Sequence, residues 1–148
     1  MAHARVACRL VPDQDPETIK RLLVEHVARQ AVPGATVTAR ALPGGSAAYH
    51  VPFDHPANQA AAAALAEVTG KTPYVSRIGG SVPVLDYFQR RLGAYSILFG
   101  FIRDDEGFHA PNEFLRLENF RRGPLTTAVL LERLAALDPA TLRAPGGC

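Results

Sequence analysis

Apolar positions recur along this chain at helical spacing, separated by shorter runs that suit β-strands. The first helix is predicted to begin after Asp15, because an N-cap aspartate is followed here by Pro16 at the first helical position. It ends before Val32-Pro33-Gly34. One face then carries Ile19, Leu22, Leu23, His26 and Val27. We expect that face to bury against another element, which makes His26 a core or interface histidine.

Three further helices are predicted. An alanine-rich run follows His55-Pro56 and stops at Gly70, a residue that commonly ends helices. A second segment runs over 83–92. A long amphipathic segment covers 114–137, and we expect Gly123-Pro124 to interrupt or split it, because proline removes a helical hydrogen bond.

Four short apolar segments are predicted to be strands, the last of them buried: Val6–Val11, Ala35–Ala41, Tyr74–Ser76 and Tyr95–Ile102. Strands that alternate with helices favour an α/β fold with a parallel or mixed sheet and flanking helices. Composition changes near Val51 to His55, which predicts two unequal lobes, 1–52 and 53–148.

Charge and composition exclude some function classes. The net charge of +2 over 148 residues is weak, and its cations are interleaved with acids, so no nucleic-acid partner is expected. No run is long enough to predict a membrane span, and the N-terminus lacks the apolar core of a secretory signal. The expected location is the cytoplasm, with Cys8 and Cys148 as free thiols.

One histidine has a setting that suits metal chemistry. His109 follows Gly107 in a loop just before a helix, where an imidazole nitrogen can reach a metal. A catalytic zinc needs about three protein ligands plus water, so His109 alone makes no such site. From its residue type alone, a helix-entry role is the more common one. The acid clusters 13–15 and 104–106 are interpreted as a turn and a solvated loop, and His50 and His55 fit no standard ligand spacing.

Four motifs in order carry a specific resemblance. They are Arg9-Leu10-Val11-Pro12, Gly70-Lys71-Thr72-Pro73, Arg77-Ile78-Gly79-Gly80-Ser81-Val82-Pro83 and His109-Ala110-Pro111-Asn112-Glu113. In this order they resemble the C-terminal part of the di-zinc peptidase and amidohydrolase family of carnosinase, glutamate carboxypeptidase, aminoacylase and succinyl-diaminopimelate desuccinylase. The joint presence of the Arg9 and Ser81 motifs is most similar to the dipeptidase branch.

The resemblance implies a role for each matching residue. His109 matches the last zinc ligand of a site that holds two zinc ions. Arg9 matches a lid arginine that holds the free carboxylate of the substrate, which suits the planar fork of a guanidinium. Gly79, Gly80 and Ser81 match a turn that lines the substrate pocket. The implied activity is hydrolysis of an amide bond next to a free carboxylate, in a small peptide or an N-acyl amino acid.

Other parts of the family's site do not occur in this sequence. It has no His-x-Asp motif and no Glu-Glu pair. The resemblance therefore implies a C-terminal fragment, with a partial lid or dimerisation domain over 1–52 and the C-terminal part of a catalytic domain over 53–148. We expect it to be inactive alone and to form a homodimer or associate with the missing N-terminal half. The alternative is a non-catalytic module of the same family that binds carboxylates or dimerises.

Overall fold

Four α-helices account for most of the regular structure among the residues that the structure describes. The computed structural model describes residues 1–30, 32–77 and 82–143. The helices are α1 (Pro16–Arg29), α2 (Pro56–Thr69), α3 (Val84–Leu92) and α4 (Leu117–Ala135), with 3₁₀ turns at Asp104–Glu106 and Pro139–Leu142. The chain divides into two units. One holds the described residues of Met1–His50 and Gly79–Tyr87, and the other those of Val51–Ile78 and Phe88–Cys148. The predicted lobe boundary at 52/53 stays a prediction.

Helix α1 begins as the sequence predicts. Asp15 caps it, with Oδ2 accepting a hydrogen bond of 2.7 Å from the backbone N–H of Thr18. Its apolar face, however, contains no buried residue, and Leu22, Leu23 and His26 are exposed. No other helix of the described residues packs against it. The expected burial of this face, and with it a core position for His26, is therefore wrong within this unit.

Helix α2 is capped at both ends. Nδ1 of His55 accepts a 3.2 Å hydrogen bond from the backbone N–H of Ala57, and Pro56 occupies the first turn. Gly70 ends the helix in the left-handed conformation, φ 67°, and its N–H donates to the Ala66 carbonyl at 2.9 Å. The predicted limits of this helix are confirmed.

Helix α4 continues through Gly123-Pro124 without the predicted break. Pro124 lacks an N–H for the carbonyl of Phe120, four residues earlier. Both residues are exposed, so water can hydrogen bond to that carbonyl. The lost helical bond is therefore tolerated in the middle of the helix.

The core of the second unit lies between α2 and α4. Three alanines of α2, Ala60, Ala61 and Ala64, pack with Leu130 of α4, and a ring of half-buried apolar residues surrounds them. Ala64 is fully buried. Small side chains let the two helices approach closely, and an ion pair between Arg133 and Glu67 (2.5 Å) joins their exposed edges.

The predicted mixed sheet does not appear in the part of the chain that the structure describes. Its β-pairing is limited to two isolated bridges, Val32 with Ala35 and Ala94 with Arg143. A strand needs a neighbouring strand for its backbone N–H and C=O groups. The four predicted strands find no such neighbour among the described residues, so the sheet expectation is corrected to irregular backbone.

The last of these segments keeps the two-residue periodicity that suggested a strand. Ile97 and Phe99 pack on the α2–α4 core, whereas Leu98 and Ile102 are exposed. The segment is therefore not the fully buried strand that was predicted. None of the helices described above is both long and apolar enough to cross a membrane.

Candidate functional site

His109 lies near the tip of a loop that connects the 3₁₀ turn at Asp104–Glu106 to the segment before α4. Its backbone is left-handed, φ 59°, and its side chain is exposed. The imidazole stacks on the ring of Phe108, with centroids 4.0 Å apart and an interplanar angle of 20°. One face of the imidazole is thus covered, while the residue as a whole remains open to a ligand.

The loop, residues 107–113, has an unusual density of left-handed backbone. Gly107, His109 and Asn112 all have positive φ, between 59° and 66°. Glycine, asparagine and histidine are among the residues that tolerate this region best. Two internal hydrogen bonds shape the loop, from the Ala110 N–H to the Gly107 carbonyl (2.8 Å) and from the Glu113 N–H to the Ala110 carbonyl (3.3 Å).

Just outside the loop, an ion-pair network centred on the buried Glu106 joins its two ends. Glu106 is 1% exposed, and its Oε1 accepts a 2.8 Å hydrogen bond from Nη1 of Arg116. Its Oε2 accepts a 3.1 Å bond from the backbone N–H of Arg103. The same guanidinium donates to both oxygens of Asp105, at 3.0 and 2.7 Å. The buried carboxylate is therefore compensated by a cation and by a backbone donor.

This network shifts the protonation equilibria of its members. The hydrogen bond from Arg116 holds the pKa of Glu106 below its usual range, against the opposing effect of burial. The same guanidinium lowers the pKa of Asp105. The two carboxylates in turn raise the pKa of Arg116. At neutral pH the network is fully ionised.

Two further contacts fix Arg116 and the start of α4. The guanidinium lies 5.1 Å from the centroid of the Phe114 ring, a cation–π distance. The buried Asn119 donates from Nδ2 to the Phe101 carbonyl at 2.8 Å, and the same nitrogen lies 3.5 Å from Oε1 of Glu106. A shallow cavity of about 370 Å³ lies beside the network, lined by Ile102, Glu106, Glu113, Phe114 and Leu115.

The other predicted site residues are Arg9 and the Gly79-Gly80-Ser81 turn. Arg9 is exposed in an irregular part of the first unit. Gly79, Gly80 and Ser81, predicted to line a substrate pocket, lie outside the described residues. Over 1–30, 32–77 and 82–143, no group of three His, Cys, Asp or Glu side chains could hold a metal ion. The described residues therefore do not form a zinc site, although His109 remains suited to be one ligand.

Sequence reasoning missed the role of Glu106. The cluster Asp104-Asp105-Glu106 was interpreted as a solvated loop, and that interpretation is wrong for Glu106, which is buried and paired. Its partner, Arg116, lies ten residues later on the far side of the loop. The signal that was available is an acid and an arginine flanking a loop rich in residues that tolerate positive φ.

His55 could bind a metal by its residue type, but in the structure it has a structural role. It is buried, caps α2 through Nδ1, and its ring meets that of Tyr95 edge-on at 4.7 Å. Its position in the sequence matches no metal-ligand spacing, and its described contacts are those of a structural residue.

Known proteins provide the remaining evidence. No protein-family profile and no solved structure matches the sequence. The chain is 32% identical over 138 residues, 91% of its length, to the Cys-Gly metallodipeptidase dug1 of Schizosaccharomyces pombe. It is 33% identical over 131 residues to the Cys-Gly metallodipeptidase DUG1 of Saccharomyces cerevisiae, and 38% identical over 64 residues to that of Candida albicans.

The chain matches only part of each relative. It spans 29% of the Schizosaccharomyces pombe protein, 27% of the Saccharomyces cerevisiae protein and 13% of the Candida albicans protein. The similarity supports the peptidase part of the resemblance. The relatives are Cys-Gly metallodipeptidases and not the four members named for the motif resemblance.

Proposed function

We propose that this chain supplies one part of a zinc-dependent dipeptidase, in which His109 is a metal ligand. The observation that carries the proposal is similarity to Cys-Gly metallodipeptidases over 91% of the chain, together with an exposed imidazole on a shaped loop. The substrate class that follows is a small dipeptide, of which Cys-Gly is the first to test. N-acyl amino acids, zinc as the metal, and the cytoplasm as the location stay predictions.

His109 needs co-ligands from residues other than those described. We therefore assign no catalytic step to this chain alone, and expect the purified polypeptide to bind zinc poorly and to hydrolyse no dipeptide. The other ligands and the general base are proposed to come from further polypeptide of the kind that makes up the rest of the relatives.

The surface of α4 supports such a partnership. Leu117, Phe120, Pro124, Ala128 and Leu131 follow one another along one face of the helix, and all are exposed. Leu117 is 73% and Phe120 65% exposed. A continuous apolar stripe on the side of α4 away from the core is typical of a surface that another segment covers.

Arg9 is proposed to hold the free carboxylate of the dipeptide. Its side chain is exposed, and the planar donors of a guanidinium match the two carboxylate oxygens. A lysine at this position would keep the charge but lose the paired geometry.

A chimera tests the proposal. The segment of the Schizosaccharomyces pombe dipeptidase that matches this chain is replaced by the chain, and hydrolysis of Cys-Gly is measured. We expect activity that His109→Ala lowers by more than about a hundredfold, since even the outer partners of a metal ligand contribute ten- to a hundredfold. Arg9→Lys should raise KM more than it lowers kcat, because it weakens substrate binding.

Two exposed residues provide matched controls: His26→Ala and Arg40→Lys should leave the chimera unchanged. A folded chimera whose activity is insensitive to His109→Ala would contradict the ligand role. Native mass spectrometry of the protein from its own cells gives a separate check, and the proposal expects zinc to accompany a species heavier than 15.9 kDa.

The non-catalytic alternative makes the opposite prediction. A module that binds carboxylates would bind a dipeptide through Arg9 as a purified chain, and a module that only dimerises would form dimers without binding the dipeptide. In both cases the chimera would be inactive.

A further inference from the structure

The loop that carries His109 has little internal support for its shape. It has left-handed backbone at two non-glycine residues, His109 and Asn112. A left-handed residue other than glycine costs on the order of 1 kcal/mol. The contacts described within the loop are two backbone hydrogen bonds, one of them 3.3 Å long, and the stacking of His109 on Phe108. Something outside the loop must help to hold it.

The support lies where the two ends of the loop meet. The Phe114 N–H donates to the carbonyl of Glu106 at 3.1 Å, which closes the loop at its base. Arg116, two residues further on, reaches back to the side chains of Glu106 and Asp105 with three hydrogen bonds of 2.7 to 3.0 Å. One guanidinium therefore fastens the exit of the loop to its entry.

The pairing is strong because one partner is buried. Glu106 is almost fully shielded from water, so without Arg116 its carboxylate would keep only the Arg103 N–H and the more distant Asn119 amide as donors. Salt bridges on exposed surfaces contribute little to stability. A shielded carboxylate that accepts from a charged donor and a backbone donor contributes more, so separating its partners is costly. Asn119 adds a second link between Glu106 and the first turn of α4.

We propose that Arg116 is a positioning residue for His109: through Glu106 and Asp105 it fixes the loop 107–113 in the left-handed form that presents the imidazole. The importance of this positioning for catalysis rests on the function proposed above. The positioning itself is expected in the metal-free chain. The loop is thus shaped before any ligand arrives.

Nuclear magnetic resonance of the ¹⁵N-labelled, metal-free chain tests the proposal. One readout is the amide exchange of Ala110, Glu113 and Phe114, the three loop N–H donors. The other readout is the conformation of His109. Positive φ brings its amide proton close to its own Hα, which gives a strong nuclear Overhauser cross-peak, and the ring of Phe108 shifts the resonances of the His109 side chain. In Arg116→Met we expect exchange to accelerate about tenfold or more and both His109 signatures to weaken.

Arg133→Met is the matched control. Arg133 also lies in α4 and pairs with a carboxylate, Glu67, but far along the helix from the loop. It should change neither readout. The amides of α2 report in every variant whether the unit is still folded.

Two milder variants keep the proposal decisive if Arg116→Met does not fold. Arg116→Lys retains a cation for Glu106 but cannot bridge both carboxylates, so loop exchange should lie between wild type and Arg116→Met. Asp105→Asn should give a smaller acceleration, because the bond to buried Glu106 remains. Unchanged exchange and unchanged His109 signatures in the folded variants would overturn the proposal.

These readouts do not depend on activity. If the chimera is inactive but Arg116 variants loosen the loop, the positioning stands and the proposed function fails. If the chimera is active but the Arg116 variants leave loop exchange and the His109 signatures unchanged, the positioning proposal fails and the proposed function stands.

Discussion

Arg116 makes the acid stability of the second unit depend on two carboxylates. Glu106 and Asp105 both have folded-state pKa values below their ordinary values of 4.5 and 3.8, chiefly because Arg116 donates to them. A depressed folded pKa gives stability that is present above the unfolded pKa and lost as pH falls through the folded value. Arg116 lowers the pKa of both carboxylates, and Arg103 also lowers that of Asp105.

We therefore predict that the free energy of unfolding decreases as pH falls below about 4.5. In Arg116→Met this decrease should be smaller, because the two carboxylates lose the donor that lowers their folded-state pKa values. Urea unfolding at pH 7, 4.5 and 3 measures it. Arg133→Met should keep the wild-type slope, because it leaves the Arg116 pairs intact. Equal slopes in wild type and Arg116→Met would contradict the prediction.

At the scale of elements, the second unit depends on the contact between α2 and α4. Leu130 is 6% exposed and packs on the alanines of α2, whereas its neighbour Leu131 is 61% exposed. Leu130→Ala should lower the free energy of unfolding by about 2–5 kcal/mol, because it removes buried methyl groups and leaves a cavity. Leu131→Ala should change it by less than about 0.5 kcal/mol.

Urea or thermal unfolding of the two variants side by side checks this prediction. Because the substitutions are chemically identical and adjacent, helix propensity cancels. A similar loss for both would mean that Leu131 is also covered in solution, as it would be if α4 associated with another chain.

Local signals in the sequence were sufficient for the helices. Asp15 with Pro16, and the alanine run that ends at Gly70, act through contacts within a few residues, so the sequence specifies them without knowledge of the fold. Gly123-Pro124 gave a wrong prediction of a break, because Phe120 and Pro124 lie on an exposed side of α4, where the lost bond is tolerable. That exposure is a tertiary property.

Long-range features could not be predicted in the same way. Alternation along 95–102 is real, but whether such a segment becomes a strand depends on a partner strand elsewhere. The loop after Gly107 was correctly placed before a helix, and His109 was singled out within it. The pairing of Glu106 with Arg116 was not, because it spans ten residues and depends on how the loop folds back.

For the whole molecule, the two units should differ in resistance to opening. Helices α1 and α2 each have 14 residues, an early proline and a side-chain N-cap, yet α1 has no buried residue while α2 has four. Tertiary packing supplies most of the stability of helices this short. We predict that amides of α1 exchange at least about tenfold faster than those of α2.

Hydrogen exchange followed by mass spectrometry measures both helices in one sample. Comparable protection of α1 would contradict the prediction and would show that its apolar face is covered in solution. Repeating the measurement at several protein concentrations identifies self-association as the cause, because protection would then rise with concentration.

The left-handed backbone at His109 also restricts which donors evolution or an engineer could place there. Aspartate and asparagine tolerate φ near 59°, whereas β-branched side chains do so poorly. An exchange of imidazole for carboxylate is therefore compatible with the loop as it stands, and, with the proposed ligand role of His109, it would favour harder cations that prefer oxygen ligands. The main-chain conformation thus limits which side chains, and through them which metal ions, this position could bind.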